Sequence, residues 1–183
     1  MIFFLVFVNY IMDIERSLEV LSIADLNDLY LVSLDRLSKY YIDGKGKKWE
    51  NLYNIEKPVA VALCQGAAMH YHDKVNGVKD FDIWFFYPFN VKHLPYRSIW
   101  NWDYNNPKFG HHPEDKNYLG RKVDVLVRSI KNYTLGDPVK TMQQFLEFER
   151  TSSSKILLDK AVVLLAPETE LGKVICYKNK LLI

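Results

Sequence analysis

The sequence predicts an α/β (α+β) fold: a mixed β-sheet with flanking helices, preceded by an N-terminal helix. Three observations carry that prediction. Short β-prone apolar runs at 59–64, 81–87, 123–127 and 161–165 alternate with stretches of helical period. Their apolar residues sit largely at consecutive positions, as in strands covered on both faces. The chain has 183 residues, 49% hydrophobic and 14% aromatic, which suits one domain with a small helical appendage.

Residues 1–12 read MIFFLVFVNYIM. The run is too short to span a bilayer and lacks the basic flank of a secretory signal. It is either an extra element packed on the domain or a segment translated ahead of a start at Met12, so whether residues 1–11 belong to the native protein stays open. A cytoplasmic location is expected. Ser22 and Asp25 have capping-box spacing, with Asp in place of Glu. Leu26, Leu29, Tyr30, Leu34, Leu37 and Tyr41 then recur at three- and four-residue steps, the stripe of an amphipathic helix about twenty residues long. Gly44 and Gly46, set among Lys45, Lys47 and Lys48, end it in a basic turn. Residues 1–55 thus form a helical extension and 56–183 the main domain.

Pro58 introduces the first strand, which stops at Gln65-Gly66, where Ala67 and Ala68 begin a helix. Asn76-Gly77 signals a turn, and the aromatic strand 81–87 ends at Pro88. Residues 88–120 hold four of the seven prolines and little periodicity. They are expected to form a long loop with short local structure, which in a compact domain points to function. After the strand at 123–127, Asp137-Pro138 supplies an N-cap and a proline at the first helical position for a helix to about Arg150. Residues 152–160 form a second helix or turn, and 172–177 are placed to pair with the strand at 161–165.

Lys and Arg number 24 against 22 Asp and Glu, a net charge of +2. That balance gives no general grip on nucleic acid, and no apolar run approaches the roughly 18 residues of a membrane span. Cys64 and Cys176 lie far apart within apolar runs and read as reduced core thiols.

Chemistry enters with the carboxylates. Asp80 and Asp82 are two apart on a strand, so both project one way. Like charges that close raise each other's pKa unless a cation neutralises them, and carboxylates are the protein ligands Mg²⁺ prefers. Asp124 sits inside the strand 123–127, where an isolated ionised carboxylate costs several kcal/mol. A salt bridge to Arg121 or Arg128 would account for it; a site shared with Asp80 and Asp82 accounts for all three acids together. Gly66, at a strand-to-helix junction, leaves the amides of residues 66–68 free to face an anion.

These segments, VAVALCQGAA (59–68), KDFDIWFF (79–86) and RKVDVLVR (121–128), resemble the polymerase-β-like nucleotidyltransferase superfamily, in its small single-domain members. The resemblance covers about residues 58–130. It implies a nucleotidyltransferase-like core that binds a nucleoside triphosphate, with ATP favoured, and Mg²⁺. It also implies transfer of the nucleoside monophosphate to an acceptor that the sequence does not identify. Carried over, Asp80, Asp82 and Asp124 are the catalytic and metal-binding residues. Gly66 and Ala67 hold the triphosphate, with His70 and Lys79 as further nucleotide-binding residues. The family commonly has Gly-Ser or Gly-Gly where this chain has Gly66-Ala67, and a basic residue at the position of His70. A catalytically weak or inactive nucleotide-binding or interaction module is therefore the alternative. A metal-dependent nuclease ranks last, because it wants a lysine on the acidic strand and residues 125–127 offer none.

Between the acidic strands, Arg97, Lys108 and Lys116 interleave with Tyr96, Trp100, Trp102, Tyr104 and Phe109. Such a mix stacks bases in single-strand binders, or simply caps the core. His70/His72 and His111-His112 have no partners at the spacing of a structural zinc site.

Overall fold

A computed structural model describes residues 16–42, 57–89 and 98–182. The apolar run at 1–12, the basic turn at 44–48 and the pair Tyr96 and Arg97 lie outside the described residues. Helix α1 (Ile23–Ile42) starts at the expected box. The Ser22 N–H donates to Asp25 Oδ2 at 2.7 Å, and the Asp25 N–H donates back to Ser22 Oγ at 3.2 Å. Leu26, Leu29 and Leu37 bury the helix stripe in the same core as the sheet, so the helical extension and the main domain share one interior.

The main chain then runs through β1 (Ala60–Cys64), α2 (Gln65–Asp73), β2 (Phe81–Pro88), β3 (Ser98–Tyr104), β4 (His111–His112), β5 (Asp115–Leu119) and β6 (Arg121–Ile130). It continues through α3 (Pro138–Phe148), α4 (Ser152–Asp159), β7 (Ala161–Ala166), β8 (Val174–Tyr177) and β9 (Lys180–Leu181). Among the described residues, seven strands form one sheet in the order β3-β6-β2-β1-β7-β8-β9, and β4 with β5 forms a separate hairpin. The sheet is mixed: β2 and β6 are parallel, and the other pairs are antiparallel.

Alternation along the central strands divides the interior into two layers. Phe81, Ile83 and Phe85 of β2 join Val123, Val125 and Val127 of β6 beneath α1 and α2. Trp84, Phe86 and Leu126 face the other way, against Met142 and Phe145 of α3 and Leu157 of α4. Because both faces are covered, the strands read as nearly unbroken apolar runs. A charged residue among them must therefore meet a partner or a cleft.

Within 88–120 the local structure goes further than the short pieces expected in a long loop. These residues carry β3, the β4–β5 hairpin and a short 3₁₀ turn at Pro107–Phe109. The physical reason is β6, whose outer edge would otherwise leave a row of backbone groups without ladder partners. β3 pairs along it from Ser98↔Val127 to Tyr104↔Arg121. Both cysteines are free and buried, as expected. β7 separates them, Cys64 pairing with Val162 and Val162 with Cys176. Two ladder spacings, about 9–10 Å, exceed the reach of a disulfide.

Candidate active site

The parallel register of β2 and β6 sets Asp82 directly beside Asp124. Both point to the face of Trp84 and Leu126, two residues further along each strand. The same transverse row continues to Cys64 on β1 and to Asn101 on β3. Asp80 lies just ahead of β2. Burial, and then the negative charges of Asp80 and Asp124, push the Asp82 carboxyl up to about 7. Lys160 and a hydrogen bond from Gln65 pull it the other way. All three predicted carboxylates therefore act on one point of the sheet.

Gln65 links the acids to the nearest cation. Its Oε1 accepts from Lys160 Nζ at 2.9 Å, while its side chain also bonds Asp82. The strand-to-helix corner rests on Gln65 and not on Gly66, since Gln65 carries the positive φ of 61°, which is costly for a non-glycine residue. The N-cap of α2, Cys64, makes no side-chain cap bond. The first-turn N–H groups at 65–67 have no carbonyl of their own helix to bond, and the helix dipole adds positive potential there.

Two clefts of about 250 Å³ each meet at Asp82. One is polar and lined by Arg16, Gln65, Gly66, Lys79, Asp80 and Lys160. The other runs under the start of α4 and is lined by Trp84, Asp124, Leu126, Ser152, Ser153 and Ile156 together with Gln65. A larger hollow of about 540 Å³ lies at the opposite end of β1, beside Pro58 and Pro167, and holds none of the predicted residues.

Gly66 and Lys79 line the polar cleft, and Lys79 also pairs with Glu114 at 3.2 Å. The side chain of Ala67 is buried in the core, leaving only its backbone N–H for a ligand. His70 requires a correction. It is fully buried, its Nδ1 accepts the Gly77 N–H at 3.0 Å, and its Nε2 bonds the Glu19 carbonyl at 3.0 Å. With both ring nitrogens spent on backbone, it has none to offer a phosphate. It ties the segment before α1 to the turn before β2, beside the two bonds of the Ser17–Val78 bridge at 2.9 and 2.7 Å. That junction brings Arg16 to the cleft. Gly77 is required there, because a Cβ would meet the Arg16 Cβ at 2.7 Å and φ is +68°. His70→Ala is therefore expected to cost about 2–4 kcal/mol of stability in urea unfolding, from two lost buried hydrogen bonds and a cavity. A variant as stable as the parent would refute this role.

The aromatic and basic mix resolves toward structure where it is described. Lys108 pairs with Asp25 at 2.5 Å, Phe109 is buried, and the hydroxyl of buried Tyr104 donates to Asp28. His112 is buried with Nδ1 accepting the Glu114 N–H at 3.0 Å, and His72 packs on the ring of Tyr177. Sequence reasoning missed Arg16, Gln65, Lys160 and Trp84. Of these, only Gln65, next to Gly66, and Lys160, at the mouth of a strand, carried any positional signal.

Among the described residues, no group of three or more His, Cys, Asp or Glu side chains is arranged as it stands to hold a metal ion. The donor chemistry at Asp82 nevertheless suits Mg²⁺: hard carboxylate oxygens, partly desolvated and mutually repelling, whose charge a divalent ion would offset. Among the described residues no helix is long and apolar enough to cross a membrane. Comparison with protein-family models, curated proteins and solved structures finds no match.

Proposed function

We propose that the chain is a cytoplasmic, Mg²⁺-dependent nucleotidyltransferase that moves a nucleoside monophosphate from a nucleoside triphosphate, ATP being favoured, to an acceptor. The observation that carries this reading is the register pairing of Asp82 with Asp124, with Asp80 adjacent, next to the uncapped start of α2. Asp80, Asp82 and Asp124 would hold Mg²⁺, which supplies charge neutralisation at the phosphates. Arg16, Lys79 and Lys160, with the amides of Gly66 and Ala67, bind the triphosphate in the polar cleft. An acceptor hydroxyl attacks the α-phosphorus in line. The new P–O bond forms as the bond to pyrophosphate breaks, and Asp124 takes the hydroxyl proton.

Labelled ATP tests the reading. Label should pass to an acceptor with Mg²⁺ and not in chelator, and Asp80→Ala or Asp82→Ala should abolish transfer without unfolding the chain. Full activity in either variant would sink the assignment. That His70, at the position where the family has a basic residue, has no ring nitrogen left for a phosphate favours a second reading, a nucleotide-binding module without turnover. Calorimetry showing ATP binding beside a silent transfer assay would select it.

Gly66 offers a sharper check. A Cβ there would meet Arg16 Nη1 at 3.7 Å, an ordinary contact, so packing does not demand glycine. Gly66→Ala should leave the fold intact or stabilise it by about 0.5–1 kcal/mol. It should weaken ATP binding about tenfold, because the methyl occupies the approach of the phosphates. Unchanged affinity would remove Gly66 from the binding surface.

A further inference from the structure

The end of β1 stands between an acid and a cation. Cys64 pairs with Asp82 of β2 on one side and with Val162 of β7 on the other, and Lys160 lies just ahead of β7. Gln65 comes next in the chain and, with Asp82, lines both clefts. Its Oε1 accepts from Lys160 Nζ at 2.9 Å. With that oxygen taken by an ammonium, the group that meets the Asp82 carboxylate is the amide NH₂. A neutral carboxamide thus separates two opposite charges, and no ion pair among the described residues joins Lys160 to Asp82. β2 and β7 are two ladder spacings apart, about 9–10 Å. The flexible four-carbon stem of a lysine can cross much of that gap, and in a partly desolvated cleft the charges attract. The backbone supplies independent evidence that the side chain is kept for use. Gln65 has a φ of 61°, where glycine is free of cost and a side chain is not. Strain of that kind gathers at functional sites.

Resting on the transferase reading and its metal site, we propose that Gln65 is a positioning residue, a neutral spacer that keeps the Lys160 ammonium from closing on Asp82. The spacer leaves the Asp82 oxygens open to a divalent cation and the remaining Lys160 donors open to phosphate. Lys160 starts from a fixed point, its carbonyl accepting the Lys178 N–H at 2.7 Å. Without the carboxamide its side chain swings onto the carboxylate, and the ammonium then competes with the metal for the same oxygens.

The test is Mn²⁺ binding to the full chain without nucleotide, with free ion counted by electron paramagnetic resonance. Mn²⁺ takes the same hard oxygen ligands as Mg²⁺. Gln65→Gly, suited to this φ, should bind Mn²⁺ about tenfold more weakly than the parent, because an ammonium now holds the carboxylate. Gln65→Ala, equally without the amide, should do the same. Lys160→Met removes the competitor. The double variant, Gln65→Gly with Lys160→Met, should therefore bind within about threefold of Lys160→Met alone. A residue that merely shaped the corner, or an amide that bonded the metal directly, would give a loss that Lys160→Met does not reverse. Such a persistent loss overturns the inference, as does equal Mn²⁺ affinity in Gln65→Gly and the parent, or a parent that binds no Mn²⁺. Label transfer from ATP is read separately. Reversal by Lys160→Met with no transfer to any acceptor keeps the spacer and sinks the transferase. Transfer by a parent whose Gln65→Gly variant binds Mn²⁺ equally well does the opposite.

Discussion

Asp82→Asn is expected to raise the thermal midpoint at pH 8 in chelator and to leave it nearly unchanged at pH 4. The Asp82 carboxyl is pushed up to about 7, first by burial and then by Asp80 and Asp124, against about 3.9 in an unfolded chain. Between those values the native state holds a proton that the unfolded state releases. Stability is therefore full below about pH 4, falls as pH rises through that window, and stays low above 7. Three pKa units correspond to about 4 kcal/mol; relaxation of the strand end leaves about 2–4 kcal/mol, or roughly 4–16 °C for a chain of this length. Asparagine has no charge to lose, so its curve should be flat where the parent's slopes. Coincident pH profiles for the two proteins would show that Asp82 is not desolvated. Mg²⁺ supplies the complementary arm. At pH 8 it should stabilise the parent by about 2.7 kcal/mol at one hundred times its dissociation constant and do much less for Asp82→Asn.

Asp124→Asn should separate binding from chemistry. Asparagine keeps the size of the side chain but cannot take the acceptor proton, and loss of a general base typically lowers rate about 10²–10⁴-fold. The affinity for ATP without divalent cation should change by no more than about threefold, since the polar cleft does not include Asp124. Single-turnover transfer measured beside calorimetry decides it. Retained turnover would remove Asp124 from the chemistry, and lost affinity would place it among the phosphate ligands.

Much of this site is legible in the sequence alone, and the reason is periodicity. Two strands apolar at nearly every position make an acid conspicuous, so Asp82 and Asp124 stood out against Trp84, Val123 and Val125. Capping chemistry was equally readable, at Ser22 with Asp25 and at Asp137, whose carboxylate accepts the Lys140 N–H at 2.9 Å. Strand β3 escaped notice because its evidence is non-local. Trp100, Trp102 and Tyr104 do recur at every second position, but the residues around them are proline and asparagine, and only the ladder with β6 makes the segment a strand. His70 misled for a related reason: a histidine four residues after a glycine suits a phosphate, and nothing nearby in sequence reveals that Glu19 and Gly77 engage it. Arg16 and Lys160 reach the cleft from 50 residues before Gly66 and 80 residues after Asp80, distances over which local pattern carries no information.

The two acidic strands are neighbours in the sheet, yet residues 89–120 separate them in the chain, with an edge strand and a hairpin of their own. A slip of one residue between β2 and β6 would turn Asp82 and Asp124 to opposite faces. Their alignment is instead locked by two apolar layers that include no residue of the β4–β5 hairpin. The hairpin thus does not set the spacing of the two carboxylates, and its hold on the site is confined to Glu114, which pairs with Lys79 at the polar cleft.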